Sequence, residues 1–139
     1  MPVNGNIPRT ILLVDDDHDV AEALSTVLAD EGYDVATASN GREALVYLKS
    51  HTPPRLILLD VMMPVMDGYE FRIEQQRDPA IADIPVVVLT AGSMGERVAE
   101  MGVTAHMRKP VDLDRLLSEV AHRTDLSPIS AAPQTLRAY

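Results

Sequence analysis

Several polar side chains that suit phosphoryl or metal chemistry each follow a short apolar stretch of the sequence. The clearest is Asp60, which ends the unbroken apolar run Leu56–Leu59 and precedes a loop that contains Pro64. A continuous apolar run of this length is typical of a strand buried on both faces, as in a parallel sheet. Ligands bind at the carboxyl ends of such strands, so side chains that end different strands are expected to converge there. The full set is Asp15, Asp16, Asp60, Thr90 and Lys109.

Carboxylates, a hydroxyl and an ammonium group together predict phosphoryl transfer to a carboxylate. Asp15, Asp16 and Asp60 would repel each other in a small site, and an oxygen-only ligand set with room for water suits Mg²⁺. Lys109 would neutralise an anionic group beside the metal, while Thr90 binds a phosphoryl oxygen and Asp60 attacks in line. Each residue alone also has a simpler interpretation, as a helix cap or loop carboxylate, a turn hydroxyl or a surface lysine.

The elements that position these residues are predicted to be five strands that alternate with five helices. The predicted strands are Ile11–Val14, Tyr33–Ala38, Leu56–Asp60, Pro85–Leu89 and Val103–Met107. Apolar residues at helical spacing predict helices around Val20–Leu28, Ala44–Leu48, Gly68–Arg77, Ser93–Met101 and Leu113–Val120. This alternation predicts an α/β fold with a doubly wound parallel sheet, right-handed crossovers and helices on both faces.

The composition argues against several other classes of protein. The chain has 139 residues, a net charge of −9 and no cysteine, which predicts one domain with a real core and without disulfides or thiolate metal sites. The negative charge disfavours contact with the phosphate backbone of nucleic acids, so we expect no direct DNA binding. Apolar runs are far too short to span a membrane, and a cytoplasmic location without membrane contact is predicted.

The two ends of the chain differ in composition from its middle. Residues 1–8 contain glycine and proline and are predicted to be a flexible lead-in, and residues 9–123 form the predicted domain. Residues 124–139 have two prolines and little periodicity, which predicts a mobile tail. A tail of this length cannot hold a DNA-binding domain or an enzyme, so we expect a single-domain protein or a fragment of a longer one.

Four segments together resemble the receiver domain of bacterial response regulators. They are Ile11–Asp17, Leu58–Gly68, Val88–Ala91 and Lys109–Pro110, and the resemblance covers about Pro8 to Arg123. It implies a flavodoxin-like receiver fold with five parallel strands in the order 2-1-3-4-5. It also implies a signalling domain of two-component systems, which catalyses only its own phosphorylation and dephosphorylation and is otherwise not an enzyme.

The resemblance further implies which residues carry the phosphoryl group and the metal. Asp60 would accept the phosphoryl group from a phosphohistidine on a sensor histidine kinase or a phosphotransfer protein. Asp16, Asp60 and the backbone carbonyl of Met62 would bind Mg²⁺ directly, and Asp15 would act mainly through a water molecule.

Switching residues follow from the same resemblance, with two departures from the family pattern. Thr90 would move to bond the phosphoryl group, and Lys109 would pair with it beside a cis Lys109–Pro110 bond. His106 stands where the family usually has an aromatic switch residue. It could rotate inward as a switch, or be a partly exposed histidine without a switching role. The span between Thr90 and Lys109 is shorter than is usual in the family, which predicts a short or irregular fourth helix.

Two classes of function fit the sequence. The first is a module whose contacts with a downstream protein partner depend on phosphorylation, through Ala91–Met101, His106 and the helix Asp112–Arg123. A phosphate relay or a receiver-like scaffold without output switching is an alternative within this class. The second class is a small phosphohydrolase of the haloacid-dehalogenase type. Asp15–Asp19 offers the Asp-x-Asp pattern of such enzymes, but it lacks the Thr or Val that follows and the chain lacks length for a substrate cap.

Overall fold

A computed structural model describes residues 9–91 and 98–124, in which strands and helices alternate as the sequence predicts. The predicted fourth helix, Ser93–Met101, lies largely outside the described residues, and Val98 and Ala99 are its helical residues within them. The predicted lead-in and all but the first residue of the predicted tail also lie outside them. The elements with described bounds are β1 Thr10–Val14, α1 His18–Asp30, β2 Asp34–Ala38, α2 Gly41–Ser50, β3 Leu56–Asp60, α3 Gly68–Arg77, β4 Val86–Thr90, β5 Ala105–Arg108 and the final helix Leu113–Thr124.

The strands form one parallel sheet in the order β2-β1-β3-β4-β5. This order confirms the predicted doubly wound, flavodoxin-like fold. The central strands β3 and β4 are buried along their whole length, and β1 is buried from Ile11 onward. Burial on both faces explains why these strands are continuous apolar runs, whereas the edge strands β2 and β5 contain exposed residues.

Alternate residues of each strand pack on opposite faces of the sheet. On β1, Leu12 and Val14 pack with α2 and α3, on what we call the α3 face. Ile11 and Leu13 pack with α1 and the final helix, on what we call the α1 face. This two-residue period also indicates which face of the sheet is occupied by a side chain at the end of a strand or just after it.

Side-chain caps fix the beginnings of the helices beside the carboxyl ends of the strands. The Asp17 carboxylate accepts hydrogen bonds from the backbone N–H groups of Asp19 and Val20, at 3.0 and 3.2 Å. Asp67 and Glu70 form a reciprocal capping box at the start of α3.

In residues 9–91 and 98–124, every helix is too short or too polar to cross a membrane.

Tyr33 joins three parts of the chain at the amino-terminal edge of the sheet. Its ring is 7% exposed, and the Arg9 guanidinium carbon lies 4.7 Å from the ring centroid. The Thr124 hydroxyl donates a hydrogen bond to the Tyr33 oxygen at 3.3 Å. The residue before β1, the residue before β2 and the last residue of the final helix therefore meet at one point.

Gly68 begins α3 directly against the backbone of Asp60. A Cβ atom at this position would lie 2.7 Å from the Asp60 carbonyl oxygen and 2.9 Å from the Cα of Val61. The Gly68 N–H donates to the Val61 carbonyl oxygen at 2.8 Å. Glycine is needed here because the first turn of α3 touches the end of the strand that carries Asp60.

Replacing Gly68 by alanine is expected to lower the free energy of unfolding by about 1–3 kcal/mol, because the backbone must move to relieve the overlap. Urea denaturation measures this difference. The control is Gln76→Ala on the exposed side of the same helix, which should change stability by less than about 0.5 kcal/mol. A Gly68→Ala protein as stable as the parent would show that α3 does not press on the end of β3.

Candidate functional site

The carboxyl ends of β1 and β3 bring Asp15 and Asp60 together. The two strands pair with Val14 opposite Leu59, so the acidic residue that follows each position lies at the same edge. Asp15 is 2% exposed and Asp60 is 6% exposed. The site is therefore built on two buried carboxylates at the end of a rigid sheet.

Lys109 joins these two carboxylates from the end of β5. Its Nζ lies 3.1 Å from Asp15 Oδ2 and 3.4 Å from Asp60 Oδ1, and its side chain is 22% exposed. Its backbone N–H donates to the Thr90 carbonyl oxygen at 2.7 Å, which fixes the start of the side chain beside β4. The Lys109–Pro110 peptide bond is cis, as the resemblance to receiver domains implies.

Asp15, Asp16 and Asp60 form a cluster that could hold a metal ion. Each offers a carboxylate oxygen, and these oxygens lie within 4.8 Å of one another. Asp16 is exposed, so the cluster is open to solvent on one side. Three carboxylate oxygens with room for water match the ligands that Mg²⁺ prefers, and the donor set therefore fits the predicted ion.

The environment of Asp15 differs from that of Asp16. Asp15 Oδ1 accepts the backbone N–H of Asp17 at 2.9 Å, and Asp15 Oδ2 accepts from Lys109 at 3.1 Å. Each oxygen of Asp15 thus already has a partner within the protein. The role of Asp15 through a water molecule stays a prediction.

The loop after Asp60 carries the predicted main-chain ligand, the carbonyl of Met62. Met62 is 61% exposed. The loop is held at its far end because Gly41 N–H donates to the Met66 carbonyl oxygen at 2.9 Å. Val65 within it has a φ of 70°, a left-handed conformation that is strained for a branched side chain. Ligation by Met62 stays a prediction.

The pKa of Asp60 is raised from its ordinary value of 3.8 to about 6, and burial is the largest cause. The charge and hydrogen bond of Lys109 lower this pKa, whereas the charges of Asp15 and Asp16 raise it, and the value of about 6 includes all of these effects. For Lys109, burial alone would lower the pKa, but the hydrogen bond to Asp15 and the charges of both carboxylates raise it above the ordinary value of 10.5. Lys109 is therefore a permanent cation that offsets only part of the carboxylate repulsion.

Thr90 ends β4 at the same edge but on the other face of the sheet. Val86 and Val88 of β4 pack on the α3 face, so Thr90, two residues further, begins on that face as well. Its hydroxyl makes a long hydrogen bond of 3.4 Å to the Ala91 carbonyl oxygen. Thr90 is 3% exposed.

His106 lies on β5 opposite Val88 and is exposed. Ala105 and Met107 pack on the α1 face, so His106 faces the α3 side of the sheet, as Thr90 does. The two residues are diagonal neighbours, because Thr90 pairs with Arg108. The exposed histidine matches the second of the two sequence interpretations, and a switching role stays a prediction.

The sequence analysis missed a buried polar network on α3. Arg72 is 9% exposed and Gln75 is 0% exposed. Gln75 Nε2 donates to the carbonyl oxygens of Ile81 and Ile84, at 2.9 and 3.1 Å. Burial lowers the pKa of the Arg72 guanidinium. The available signal was the spacing of the buried positions, Gly68, Phe71, Arg72 and Gln75, which is helical although two of the four side chains are polar.

The sequence profile described as "Response regulator receiver domain" matches residues 11–121. Response regulator Rre1 of Synechocystis sp. is 41% identical over 113 residues, which are 78% of this chain and 48% of Rre1. The "DNA-binding dual master transcriptional regulator RpaA" of the same organism is 36% identical over 131 residues, which are 90% of this chain and 54% of RpaA. The receiver domain of a signal transduction histidine kinase from Syntrophus aciditrophicus has a TM-score of 0.78 at 36% identity, and the match covers 83% of this chain and 89% of that one.

These matches correct one prediction. The chain spans about half the length of the curated relatives it matches, and those relatives include a regulator named as DNA-binding. The prediction of no direct DNA binding is therefore wrong. It was drawn from the net charge of −9, and that charge limits only the contacts that this stretch of sequence can make with phosphate groups.

The raised pKa of Asp60 predicts how stability depends on pH in the absence of divalent cations. The proton is bound more tightly in the folded than in the unfolded protein, so its stabilising effect is complete below pH 3.8 and is lost as the pH rises through 6. Asp60→Asn lacks this ionisation. The stability of Asp60→Asn relative to the parent should therefore rise by about 3 kcal/mol between pH 3.5 and 7.5. This energy follows from the difference of about 2.2 between the pKa of Asp60 in the folded protein and its ordinary value.

Urea denaturation in a chelator at the two pH values measures this change. Asp83→Asn, at an exposed position, is the control and should show no pH-dependent difference. A constant stability difference between Asp60→Asn and the parent at both pH values would contradict the proposed cause of the shift.

Proposed function

The chain belongs to the response regulator receiver family, and from this premise we propose that it accepts a phosphoryl group on Asp60 from a phosphohistidine donor. The observation that carries the proposal is the buried Asp60 carboxylate, paired with Lys109 at 3.4 Å beside a solvent-exposed Asp16. Such a carboxylate is a fixed nucleophile with a cation already beside it. The donor would be a sensor histidine kinase or a phosphotransfer protein.

In the proposed reaction, a carboxylate oxygen of Asp60 forms a bond to phosphorus as the phosphorus–nitrogen bond of the phosphohistidine breaks. The imidazole leaves with the electron pair of that bond, and the product is an acyl phosphate on Asp60. Lys109 neutralises part of the charge on the phosphoryl oxygens, because its Nζ already lies within 3.4 Å of Asp60 Oδ1. The ordered end of β3 holds the attacking oxygen in one position, which reduces the entropy lost in reaching the transition state.

Asp16, Asp60 and the carbonyl of Met62 would hold Mg²⁺, with Asp15 acting through water. The bound ion would supply positive charge opposite the phosphoryl oxygens and would relieve repulsion among the three carboxylates. Asp16 is the carboxylate most available to a metal ion, because it is exposed and neither of its oxygens has a hydrogen-bond partner among the described residues.

Thr90 and His106 would convert the modification into a signal. Among the described residues, the Thr90 hydroxyl bonds only the Ala91 carbonyl oxygen, at 3.4 Å, and it would give up this long bond to turn toward a phosphoryl oxygen. His106 and Thr90 are diagonal neighbours on the α3 face of the sheet. A movement of Thr90 would therefore change the surroundings of His106. Phosphorylation would thereby change protein contacts made by β5 and the final helix. Since curated relatives are named as transcriptional regulators, the control of transcription is the process we propose for this signal.

Asp60→Asn should abolish phosphorylation. With Mg²⁺ and a small acyl phosphate as donor, the parent is expected to gain the mass of one phosphoryl group, which hydroxylamine removes. The variant should gain none, because an amide cannot form the acyl phosphate. Intact-protein mass spectrometry measures the outcome, and Asp83→Asn should label as the parent does. Equal labelling of Asp60→Asn, or steady hydrolysis of a simple phosphate ester by the parent, would contradict a receiver function and favour a phosphohydrolase.

Asp16→Asn should weaken Mg²⁺ binding by about tenfold or more, because a ligand of the cluster loses its charge. Isothermal titration calorimetry on the unphosphorylated protein measures the affinity. Asp19→Asn is the matched control, since Asp19 is an acidic residue of the first turn of α1 outside the cluster. Equal affinities of Asp16→Asn and the parent would indicate that Asp16 is not a ligand.

A further inference from the structure

Arg72 connects α3 to the end of the segment that follows Thr90. Its Nε donates to the Met101 carbonyl oxygen at 2.9 Å, and one Nη donates to the Gly102 carbonyl oxygen at 2.8 Å. The other Nη donates to Gln75 Oε1 at 2.7 Å. The guanidinium group thus holds two successive backbone carbonyls that lie 29 and 30 residues away in sequence.

The bonded carbonyls stand at the end of a helical turn. Val98 is helical, Met101 N–H donates to the Val98 carbonyl oxygen at 3.0 Å, and Gly102 has a φ of +66°. A left-handed glycine is typical of a helix end, where carbonyl groups lack partners and carry negative partial charge. Arg72 supplies both the missing donors and the opposite charge. A cation with this fork of donors suits two adjacent carbonyls better than a lysine does.

The same helix is in contact with the phosphoacceptor at its other end. Gly68 lies against the Asp60 backbone and donates to the Val61 carbonyl oxygen at 2.8 Å. Arg72 is one helical turn after Gly68. One rigid turn of α3 therefore separates the backbone of Asp60 from the carbonyls of Met101 and Gly102.

We propose that Arg72 is a positioning residue for signal output, which anchors Met101 and Gly102 to α3 so that a movement at Thr90 acts on a segment held at its far end. The inference rests on the proposed function of Asp60 and adds a residue that contacts neither the phosphoryl group nor the metal. Because Gly68 of the same helix lies against the Asp60 backbone, α3 couples a change at Asp60 to the backbone of Met101 and Gly102. Without the hydrogen bonds of Arg72 this coupling is lost.

The first test uses the unphosphorylated protein and does not depend on phosphorylation. Arg72→Met removes the donors and keeps a long apolar stem. Amide hydrogen exchange at Val98 to Gly102 should become faster by about 10- to 100-fold, the effect expected from losing hydrogen bonds to a charged group. Arg77→Met is the matched control, because Arg77 on the same helix is exposed and bonds only Glu74 among the described residues. Unchanged exchange in Arg72→Met would overturn the anchoring role.

The second test compares exchange before and after phosphorylation by a small acyl phosphate with Mg²⁺. Arg72→Met should label at Asp60 as fast as the parent, while the phosphorylation-dependent change at Val98 to Gly102 becomes smaller. An equal change in the variant and the parent would overturn the inference, whereas absence of labelling in the parent would overturn the proposed function instead. If Arg72→Met does not fold, Arg72→Lys replaces it, since a lysine keeps the charge and can satisfy one carbonyl well. Amide exchange at Val98 to Gly102 should then be faster in Arg72→Lys than in the parent. Parent-like rates in Arg72→Lys would overturn the role of the forked donors.

Discussion

The crowding of three carboxylates at one end of the sheet is the constraint on which the rest of the site depends. Asp15 and Asp60 are almost fully buried, yet a single ammonium group, Lys109, pairs with both. One cation cannot balance three anions. The pKa of Asp60 is raised chiefly because its carboxylate is buried, and the charges of Asp15 and Asp16 add to this effect. The protein tolerates the repulsion because the apolar strands beneath these residues are buried on both faces and hold the edge in place. A divalent cation or a phosphoryl group would change the balance of charge at this edge, so we expect the site to respond to both.

Much of the fold and of the site could be predicted because the strands carry a strong signal. Continuous apolar runs identified β1, β3 and β4, and parallel pairing then required their carboxyl ends to share an edge. That reasoning brought Asp15, Asp60 and Lys109 together without any knowledge of distances. It did not reveal that Thr90 begins on the opposite face, although the two-residue period along β4 contains this information. The cis bond at Pro110 and the order of the strands came from family resemblance, which periodicity alone does not supply.

The buried face of α3 could not be predicted in the same way. A helix with Arg72 and Gln75 on its inner side has few apolar residues to mark that side, and the apolar residue Ile73 is in fact half exposed. The reason is that the polar side chains of this helix donate to backbone carbonyls outside it. These carbonyls belong to Ile81, Ile84, Met101 and Gly102. Hydrophobic patterning records which side chains avoid water, but it contains no record of unsatisfied backbone groups elsewhere. Polar residues at the spacing of buried positions are therefore worth examining for such a role.

The meeting of Arg9, Tyr33 and Thr124 at the amino-terminal edge has a consequence for the way this domain can be joined to others. Both flanks of the described fold leave from the edge farthest from Asp60, close to one another. A peptide linker between the two flanks would be short, so a circularly permuted chain opened in the exposed loop before β3 would keep the acidic cluster intact. Fluorescent or affinity tags attached at either flank would likewise stay clear of the incoming phosphoryl donor.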